Sequence, residues 1–140
     1  MTPIDCANVL KTELRRCAAI CRENFGWTQI ELEIRYDVRG TVAGCAYKDR
    51  RVRFNILLLM EQVPDDIRIV AAHEFAHIAT HRRWRERTGA DQITNEMHFS
   101  AAVDSAPQPH GREWRRMMML FGYRPKRCHN FDVSKHRRGR

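Results

Sequence analysis

The stretch His73-Glu74-Phe75-Ala76-His77 lies inside a largely apolar run, residues 67–79. In an α-helix, residues four apart lie on one face, one turn above the other. The two imidazoles could therefore bind one tetrahedral Zn²⁺, with Glu74 beside them to hold a water molecule and accept its proton. A cluster of polar side chains such as these three is costly to bury in an apolar helix unless another group pairs with it, and a metal ion supplies that pairing. The stretch predicts metal-assisted hydrolysis on a central, buried helix.

The size and composition of the chain predict one domain, residues 1–140. No apolar run approaches 18 residues, and the first residues lack the basic and apolar regions of a secretory signal. We therefore expect a cytoplasmic protein without a membrane contact, and a monomer. The five cysteines form no CxxC pair, which favours small buried side chains over a second zinc site.

The remaining periodicity predicts an α+β fold, with a small antiparallel or mixed sheet packed on helices. Helices are expected at residues 4–25, at 56–62 after a cap at Asn55, from Pro64 through the metal-binding stretch, and at 111–121. Extended segments are expected at residues 30–36, 41–47 and 51–54, with a turn at 48–50.

Two segments have a polar or basic composition. Residues 82–108 predict a polar insertion or lid, with a short helix around 95–103. Near the end, Phe131 and Val133 predict an edge strand, and residues 134–140 a frayed basic tail.

A catalytic zinc needs a third protein ligand and one open position. His81 continues the row of His73 and His77, but one further turn carries it about 6 Å past the metal. Arg83 stands where a metzincin would need histidine. The residues leave two candidates open, Glu96 in Asn95-Glu96-Met97-His98 and His110 before the last helix.

Four stretches together resemble the SprT-like metalloproteases, whose eukaryotic relatives include Spartan. They are Gly44-Cys45-Ala46-Tyr47, Val52-Arg53-Phe54-Asn55, the His73–His77 motif, and Pro109-His110-Gly111-Arg112-Glu113-Trp114. The resemblance implies His73, His77 and His110 as zinc ligands and Glu74 as general base. It also implies a minimal zincin-type core, and a protease whose better-studied relatives act on proteins bound or crosslinked to DNA.

The chain departs from that family in two ways. His77 and His110 are 33 positions apart, which is longer than usual and makes residues 82–108 an addition. No Cys-rich zinc ribbon follows the last motif within these 140 residues. DNA binding is therefore expected from the basic surface of the core itself, which the net charge of +8 favours.

These features predict a zinc-dependent peptidase with two binding surfaces. The substrate peptide would pair with the strand formed by Gly44, Cys45, Ala46 and Tyr47. DNA phosphates would contact the cluster Arg82, Arg83, Trp84, Arg85 and Arg87, with Trp84 stacking on an unpaired base. His129, Tyr47 and Tyr123 are the candidates to stabilise the oxyanion.

Three alternatives stay open at this stage. One is a thermolysin-like peptidase that uses Glu96 as third ligand. Another is a non-catalytic DNA-binding or adaptor protein stabilised by zinc, although such a site needs no base like Glu74. The third is that the basic surface only keeps the protein soluble and binds no partner.

Overall fold

The computed structural model describes residues 1–47, 50–89 and 107–137. Its elements, in chain order, are α1 (Pro3–Phe25), β1 (Glu33–Arg35), β2 (Gly44–Ala46), β3 (Arg51–Phe54), α2 (Ile56–Leu59), α3 (Pro64–Thr88) and α4 (Arg112–Leu120). This is the α+β architecture that the sequence predicts. The predicted turn at residues 48–49, the short helix at 95–103, Glu96 and the last three residues lie outside the described residues.

Helix α1 begins and ends at signals that its sequence carries. The Thr2 hydroxyl accepts a hydrogen bond from the backbone N–H of Asp5, and the Asp5 carboxylate accepts one from the Thr2 N–H, which forms a capping box. Gly26 ends the helix in the left-handed conformation, with φ of 69°. The inner face buries Cys6, Cys17 and Cys21, as predicted, and all three are free thiols.

The three strands form a mixed sheet in the order β1-β3-β2. Strand β1 is parallel to β3, and β2 is antiparallel to it, so β2 lies at an edge of the sheet. Strands β1 and β2 are shorter than the predicted segments 30–36 and 41–47, because β3 has only four residues to pair with them. The sheet therefore ends close to the helix that carries the histidine motif.

Asn55 joins the sheet to the helical part of the molecule and is fully buried. Its side-chain oxygen accepts a hydrogen bond from the Leu58 N–H at 3.2 Å, which confirms the predicted cap of α2. Its amide also donates to the carbonyl oxygens of Gly40 and Val42, at 2.9 and 3.0 Å. One buried side chain thus holds the loop that leads into β2.

Helix α3 crosses the middle of the core and contacts α1, α4 and β2. Its buried residues surround most of its circumference, as the apolar run predicts: Ile67, Val70, Ala71, Ala72, Phe75, Ala76, Ile78 and Ala79. Helix α3 continues past Arg82 to Thr88 and ends at Gly89, so the first residues of the predicted insertion are helical. Contacts with the segment after α1 hold this last part: the Trp27 indole N–H donates to Glu86 at 2.8 Å.

The chain after α4 is anchored by a buried carboxylate. Glu13 on α1 accepts hydrogen bonds from the Arg16 guanidinium and from the Tyr123 hydroxyl, the latter at 2.6 Å. Arg16 also donates to the carbonyl oxygen of Phe121 at 2.6 Å. These bonds tie the end of α4 to α1 and so fix the helix that follows His110.

The C-terminal part differs from the sequence prediction in two respects. No strand forms at Phe131 and Val133, because the Phe131 N–H donates to His129 and the Val133 carbonyl accepts from His136. The predicted frayed tail is held at its start, since His136 and Lys135 both pair with Glu61. Among the described residues, no helix is long and apolar enough to span a membrane.

Candidate metal centre

Helix α3 places His73 and His77 side by side, one turn apart. Their ring centroids are 5.1 Å apart, and both side chains are partly buried at the floor of a cleft. The intervening residues Phe75 and Ala76 face the core with no exposed surface. Because of the helix period, the two imidazoles project from one face of α3 and the apolar side chains from the other.

His110 reaches the same point from the turn before α4. The Gly111 N–H donates to the Gln108 carbonyl at 2.9 Å, which closes the turn. A Cβ at position 111 would lie 2.9 Å from that carbonyl oxygen, so the turn requires glycine there. His110 itself has φ of 57°, a conformation that is costly for a residue with a side chain and is often found at functional sites.

The Nε2 atom of His110 lies 3.0 Å from Nε2 of His73 and 3.1 Å from Nε2 of His77. An imidazole nitrogen carries either one hydrogen or one lone pair, so His110 cannot make a good hydrogen bond to both neighbours at once. A tetrahedral zinc with bonds of 2.0–2.1 Å needs ligand nitrogens about 3.3 Å apart. The two distances from His110 are close to this value, and all three ligand nitrogens lie within 4.8 Å of one another. The three histidines could therefore hold a metal ion, and their nitrogen-only donor set fits zinc.

Trp114 supports all three imidazoles from one position on α4. Its ring centroid lies 4.8 Å from those of His73 and His110 and 5.7 Å from that of His77. Its indole N–H donates to the backbone carbonyl of His73 at 3.2 Å, and the side chain is 1% exposed. A rigid, buried ring in this place fixes the orientation of the histidines before any metal binds.

Burial keeps the histidines neutral, which is the form that binds a metal. The pKa of His73 is lowered to about 3 and that of His77 to about 4, mainly by burial and in part by the charge of the neighbouring imidazoles. The pKa of His110 is also lowered, first by burial and then by the positive charge of Arg127. Each ring therefore presents a lone pair at neutral pH.

Glu74 lies beside the histidines and is 7% exposed. Burial raises the pKa of its carboxyl to about 8, and a dication at the histidines would favour the carboxylate form. Strand β2 approaches it closely: a Cβ at Gly44 would lie 3.3 Å from the Glu74 Cγ and 3.1 Å from the Arg53 carbonyl oxygen. The absence of a side chain at position 44 thus lets the strand pack directly on Glu74.

These residues line an open cleft of about 460 Å³. One wall is the predicted substrate strand, with Gly44, Cys45, Ala46 and Tyr47. The described surroundings also include Pro107, Gln108, Pro109 and Arg127. The structure thus brings the predicted base, the three histidines and the predicted strand to one cavity.

Two of the three candidates for oxyanion stabilisation are occupied in structural hydrogen bonds. The Tyr123 hydroxyl donates to the buried Glu13, and both ring nitrogens of His129 contact backbone groups. Tyr47 lines the cleft, and its hydroxyl accepts a hydrogen bond from Arg53 at 2.8 Å. Because that bond uses a lone pair of the oxygen, the Tyr47 hydroxyl keeps its hydrogen for another acceptor.

The predicted nucleic-acid cluster at the end of α3 is only partly available. Trp84 is 8% exposed, so its ring cannot stack on a base, and that prediction is wrong. Arg82 stacks over the Trp27 ring at 4.3 Å and donates to the Gln29 carbonyl at 2.7 Å. Arg83 lies over the Phe25 ring, Arg85 is half-buried, and Arg87 is exposed.

Two functional features were not assigned a role from the sequence. Trp114 belongs to the stretch from Pro109 to Trp114, and its position four residues after His110 places it one turn along α4. Arg127 lines the cleft, and no local sequence pattern indicates this.

Comparison with known proteins identifies similar chains. Over 134 residues, 94% of this chain, it is 30% identical to Protein SprT of Yersinia pseudotuberculosis serotype IB and covers 67% of that protein. It is 30% identical to Protein SprT of Pasteurella multocida over 127 residues, covering 89% of this chain and 65% of that one. Over 106 residues it is 34% identical to Protein SprT of Proteus mirabilis, covering 74% of this chain and 51% of that one.

The chain therefore spans about half to two thirds of the length of these curated relatives. No family model matches the sequence, and no solved structure matches it.

Proposed function

The chain belongs to the SprT family, and on that premise we propose that it is a zinc-dependent metallopeptidase with a minimal zincin-type core. The observation that carries the proposal is the convergence of three histidine Nε2 atoms beside the buried Glu74, at the floor of an open cleft. Two of the histidines and Glu74 come from one helix, and the third comes from the turn before the next helix.

The number of converging side chains favours a catalytic site over a structural one. Structural zinc sites are closed by four protein ligands, whereas catalytic sites keep one position open. In the described part of the chain three His, Cys, Asp or Glu side chains converge in this way, and they border a cleft. A zinc-stabilised adaptor would need neither the cleft nor an acidic residue beside the histidines.

In the proposed reaction the histidines hold the metal and Glu74 moves the proton. A zinc ion bound there would act as a Lewis acid that activates water and polarises the peptide carbonyl. Glu74 accepts the proton of the attacking water at its carboxylate and then returns it to the leaving amine. Trp114 keeps the imidazoles in place, and the close packing of Gly44 restricts the position of the Glu74 side chain.

The substrate would bind in extended form along β2. This strand pairs with β3 on one side only, so its other edge carries backbone groups without a strand partner among the described residues. Gly44, Cys45, Ala46 and Tyr47 line the cleft that contains the histidines. Backbone pairing with this edge gives affinity without a strict sequence preference, as a protease with varied substrates needs.

The decisive test compares the wild type with Glu74→Gln on an unfolded protein substrate. The amide cannot accept a proton, so we expect cleavage to fall by about 100- to 10,000-fold while zinc content and thermal unfolding stay unchanged. Removal of zinc by a chelator should abolish wild-type cleavage, and added zinc should restore it.

Two results would refute the proposal. Near wild-type cleavage by Glu74→Gln would show that Glu74 is not the base. A wild-type protein that binds zinc tightly and cleaves nothing would favour the adaptor alternative.

The thermolysin-like alternative, with Glu96 as third ligand, has less support. His110 already lies within 3.1 Å of both helix histidines, and its turn requires the glycine that follows it. Glu96 lies outside the described residues. We therefore propose His73, His77 and His110 as the ligand set.

We further propose that the substrates are proteins associated with DNA. Besides the net charge of +8, a groove of about 350 Å³ between α3 and α4 is lined by three arginines, Arg83, Arg87 and Arg116, and by one acidic residue, Glu113. Arg87 and Arg116 are exposed, and guanidinium groups bind phosphates without reading the base sequence. We therefore propose this groove as the DNA-binding surface in place of the predicted cluster at residues 82–87, because Trp84 of that cluster is buried.

The DNA proposal is tested by the salt dependence of binding to a mixed-sequence duplex. The double variant Arg87→Glu, Arg116→Glu should weaken binding and reduce the slope of log K against log salt by about 1 to 2, because each phosphate contact contributes about 0.9. The matched control is Arg15→Glu, which changes an exposed arginine of α1 outside the groove. Equal loss in both variants, or binding insensitive to salt, would contradict the proposal.

A further inference from the structure

The chain that follows α4 borders the cleft through Arg127. His129 holds this segment in place: its Nε2 lies 2.9 Å from the Thr41 carbonyl oxygen, and its Nδ1 accepts the Phe131 N–H at 3.1 Å. The His129 ring also stacks on that of Phe131, with centroids 4.6 Å apart. Because Nδ1 is an acceptor, Nε2 carries the hydrogen and donates it to Thr41, and both ring nitrogens are used.

Arg127 lies two residues before this anchor and lines the cleft together with the histidines. Among the described residues that line the cleft, Glu74 is the only Asp or Glu, and Arg127 is the only Lys or Arg. Glu74 is buried at the floor, whereas Arg127 is exposed to the cavity. The accessible formal charge on the described walls is therefore positive, and it comes from one guanidinium group.

No ion pair joins Arg127 to another residue of the described ranges, in contrast with several arginines of the sheet. Arg53, for example, pairs with Asp37 at 2.6 Å, and Arg35 pairs with Glu33 at 2.5 Å. Arg127 lines the same cavity as His73, His77 and His110. It thus offers an uncompensated fork of N–H donors near the point where a peptide would be cleaved.

We propose that Arg127 determines substrate preference by binding a carboxylate of the peptide close to the scissile bond. The inference rests on the proposed peptidase function and adds a substrate class to it. A guanidinium matches a carboxylate through two parallel hydrogen bonds. In a peptide the carboxylate comes either from an Asp or Glu side chain or from the free C-terminus, and both sources present the same chemistry to Arg127.

The test uses quenched fluorescent peptides of one parent sequence. A first set carries Glu, Ala or Lys at positions on either side of the cleaved bond, with the C-terminus amidated. A second set keeps Ala at the positions on either side of the cleaved bond. It compares peptides with a free C-terminal carboxylate and peptides with an amidated C-terminus, at decreasing distances between the C-terminus and that bond. The measured quantity is kcat/KM for the zinc-loaded wild type and variants, with the zinc content of each variant determined in parallel.

For the wild type we expect the carboxylate-bearing peptide to be preferred over its Lys or amide counterpart by about 5-fold, the effect of one partly solvated ion pair. Arg127→Ala should remove the preference, Arg127→Glu should reverse it, and Arg127→Lys should keep a reduced form. Raising the salt concentration should shrink the wild-type ratio. The matched control is Arg124→Glu, an exposed arginine three residues away that does not line the cleft, and it should behave like the wild type.

The outcomes separate this inference from the function on which it rests. A preference in the first set identifies acidic side chains as the source, and one in the second set identifies the C-terminal carboxylate. Cleavage with the same ratio in the wild type, Arg127→Ala and Arg127→Glu would overturn the role of Arg127 and leave the peptidase intact. If Arg127→Glu lost zinc, Arg127→Ala and Arg127→Lys would still decide the question. Absence of any cleavage by the zinc-loaded wild type would overturn both.

Discussion

The middle and the C-terminal end of helix α3 carry different kinds of information. In its middle, His73 and His77 meet His110 and Trp114 through contacts of 3.0–3.2 Å, with Glu74 beside them. In its last two turns four arginines follow closely, and two of them, Arg82 and Arg83, are held by aromatic rings or backbone groups of the same molecule. The comparison teaches that metal-binding residues at a defined helical spacing predict a site more precisely than a run of like-charged residues does.

The physical reason is the difference between convergence and repetition. Two imidazoles one turn apart on a helix can both bind one shared partner such as a metal ion. The spacing of the motif therefore specifies the geometry of the site. An arginine has a long aliphatic stem that packs on apolar surface while its charged end finds whatever acceptor is near. Arg82 shows this, because its guanidinium lies over Trp27 and also donates to the Gln29 carbonyl.

The largest effect should come from removing His110, which breaks the convergent site. His110→Ala should lower zinc affinity by more than about 100-fold and abolish cleavage, because two helical imidazoles alone cannot complete the ligand set. Zinc content after dialysis against a weak chelator measures this. Glu96→Ala is the control and should keep its zinc. The reverse result would favour the thermolysin-like ligand set.

A smaller effect is expected from Trp114→Phe, which keeps an aromatic ring but removes the indole N–H that bonds the His73 carbonyl. We expect zinc affinity to fall by about 10- to 100-fold, as for other groups that orient metal ligands, and the free energy of unfolding by about 1–3 kcal/mol. Competition with a zinc indicator and denaturant unfolding give the two quantities. Unchanged zinc affinity would mean that the histidines hold their positions without Trp114.

Gly44→Ala should affect catalysis more than metal binding. The added Cβ would lie 3.3 Å from the Glu74 Cγ and 3.1 Å from the Arg53 carbonyl oxygen, so the strand or Glu74 must shift. Since about 1 Å of misplacement can cost 100-fold, we expect kcat to fall by roughly 10-fold or more with zinc content unchanged. Ala46→Gly, on the same strand, tests for general loosening of β2. Equal kcat in Gly44→Ala and the wild type would show that the contact has no role in positioning Glu74.

The smallest effects should distinguish arginines within the basic end of α3. Arg82→Ala should lower the free energy of unfolding by about 1 kcal/mol, because it removes the contact with Trp27 and a backbone hydrogen bond. Arg87→Ala should change it by less than about 0.5 kcal/mol, because Arg87 is exposed. Urea unfolding of both variants measures the difference. Equal effects would mean that these contacts do not set the arginines apart.

Much of the fold could be predicted from local signals. Thr2 and Gly26 mark the ends of α1, Asn55 caps α2, and polar and apolar residues alternate along residues 30–36 and 51–54 as they do in strands. The shortened strands and the absent strand at Phe131 could not, because strand length depends on the partner available and not on the segment itself. The continuation of α3 to Thr88 was also missed, because its polar residues find partners in Trp27 and Gln29, far away in sequence.

By itself, the sequence determined that His73 and His77 share one helix face with Glu74 beside them, because helix geometry depends only on local spacing. It also placed His110 before the last helix as a candidate third ligand. Only the tertiary structure decided that His110 meets the other two histidines, that Trp84 is buried, and that Arg127 faces the cleft. These facts depend on contacts between residues distant in the chain, which a local pattern does not encode.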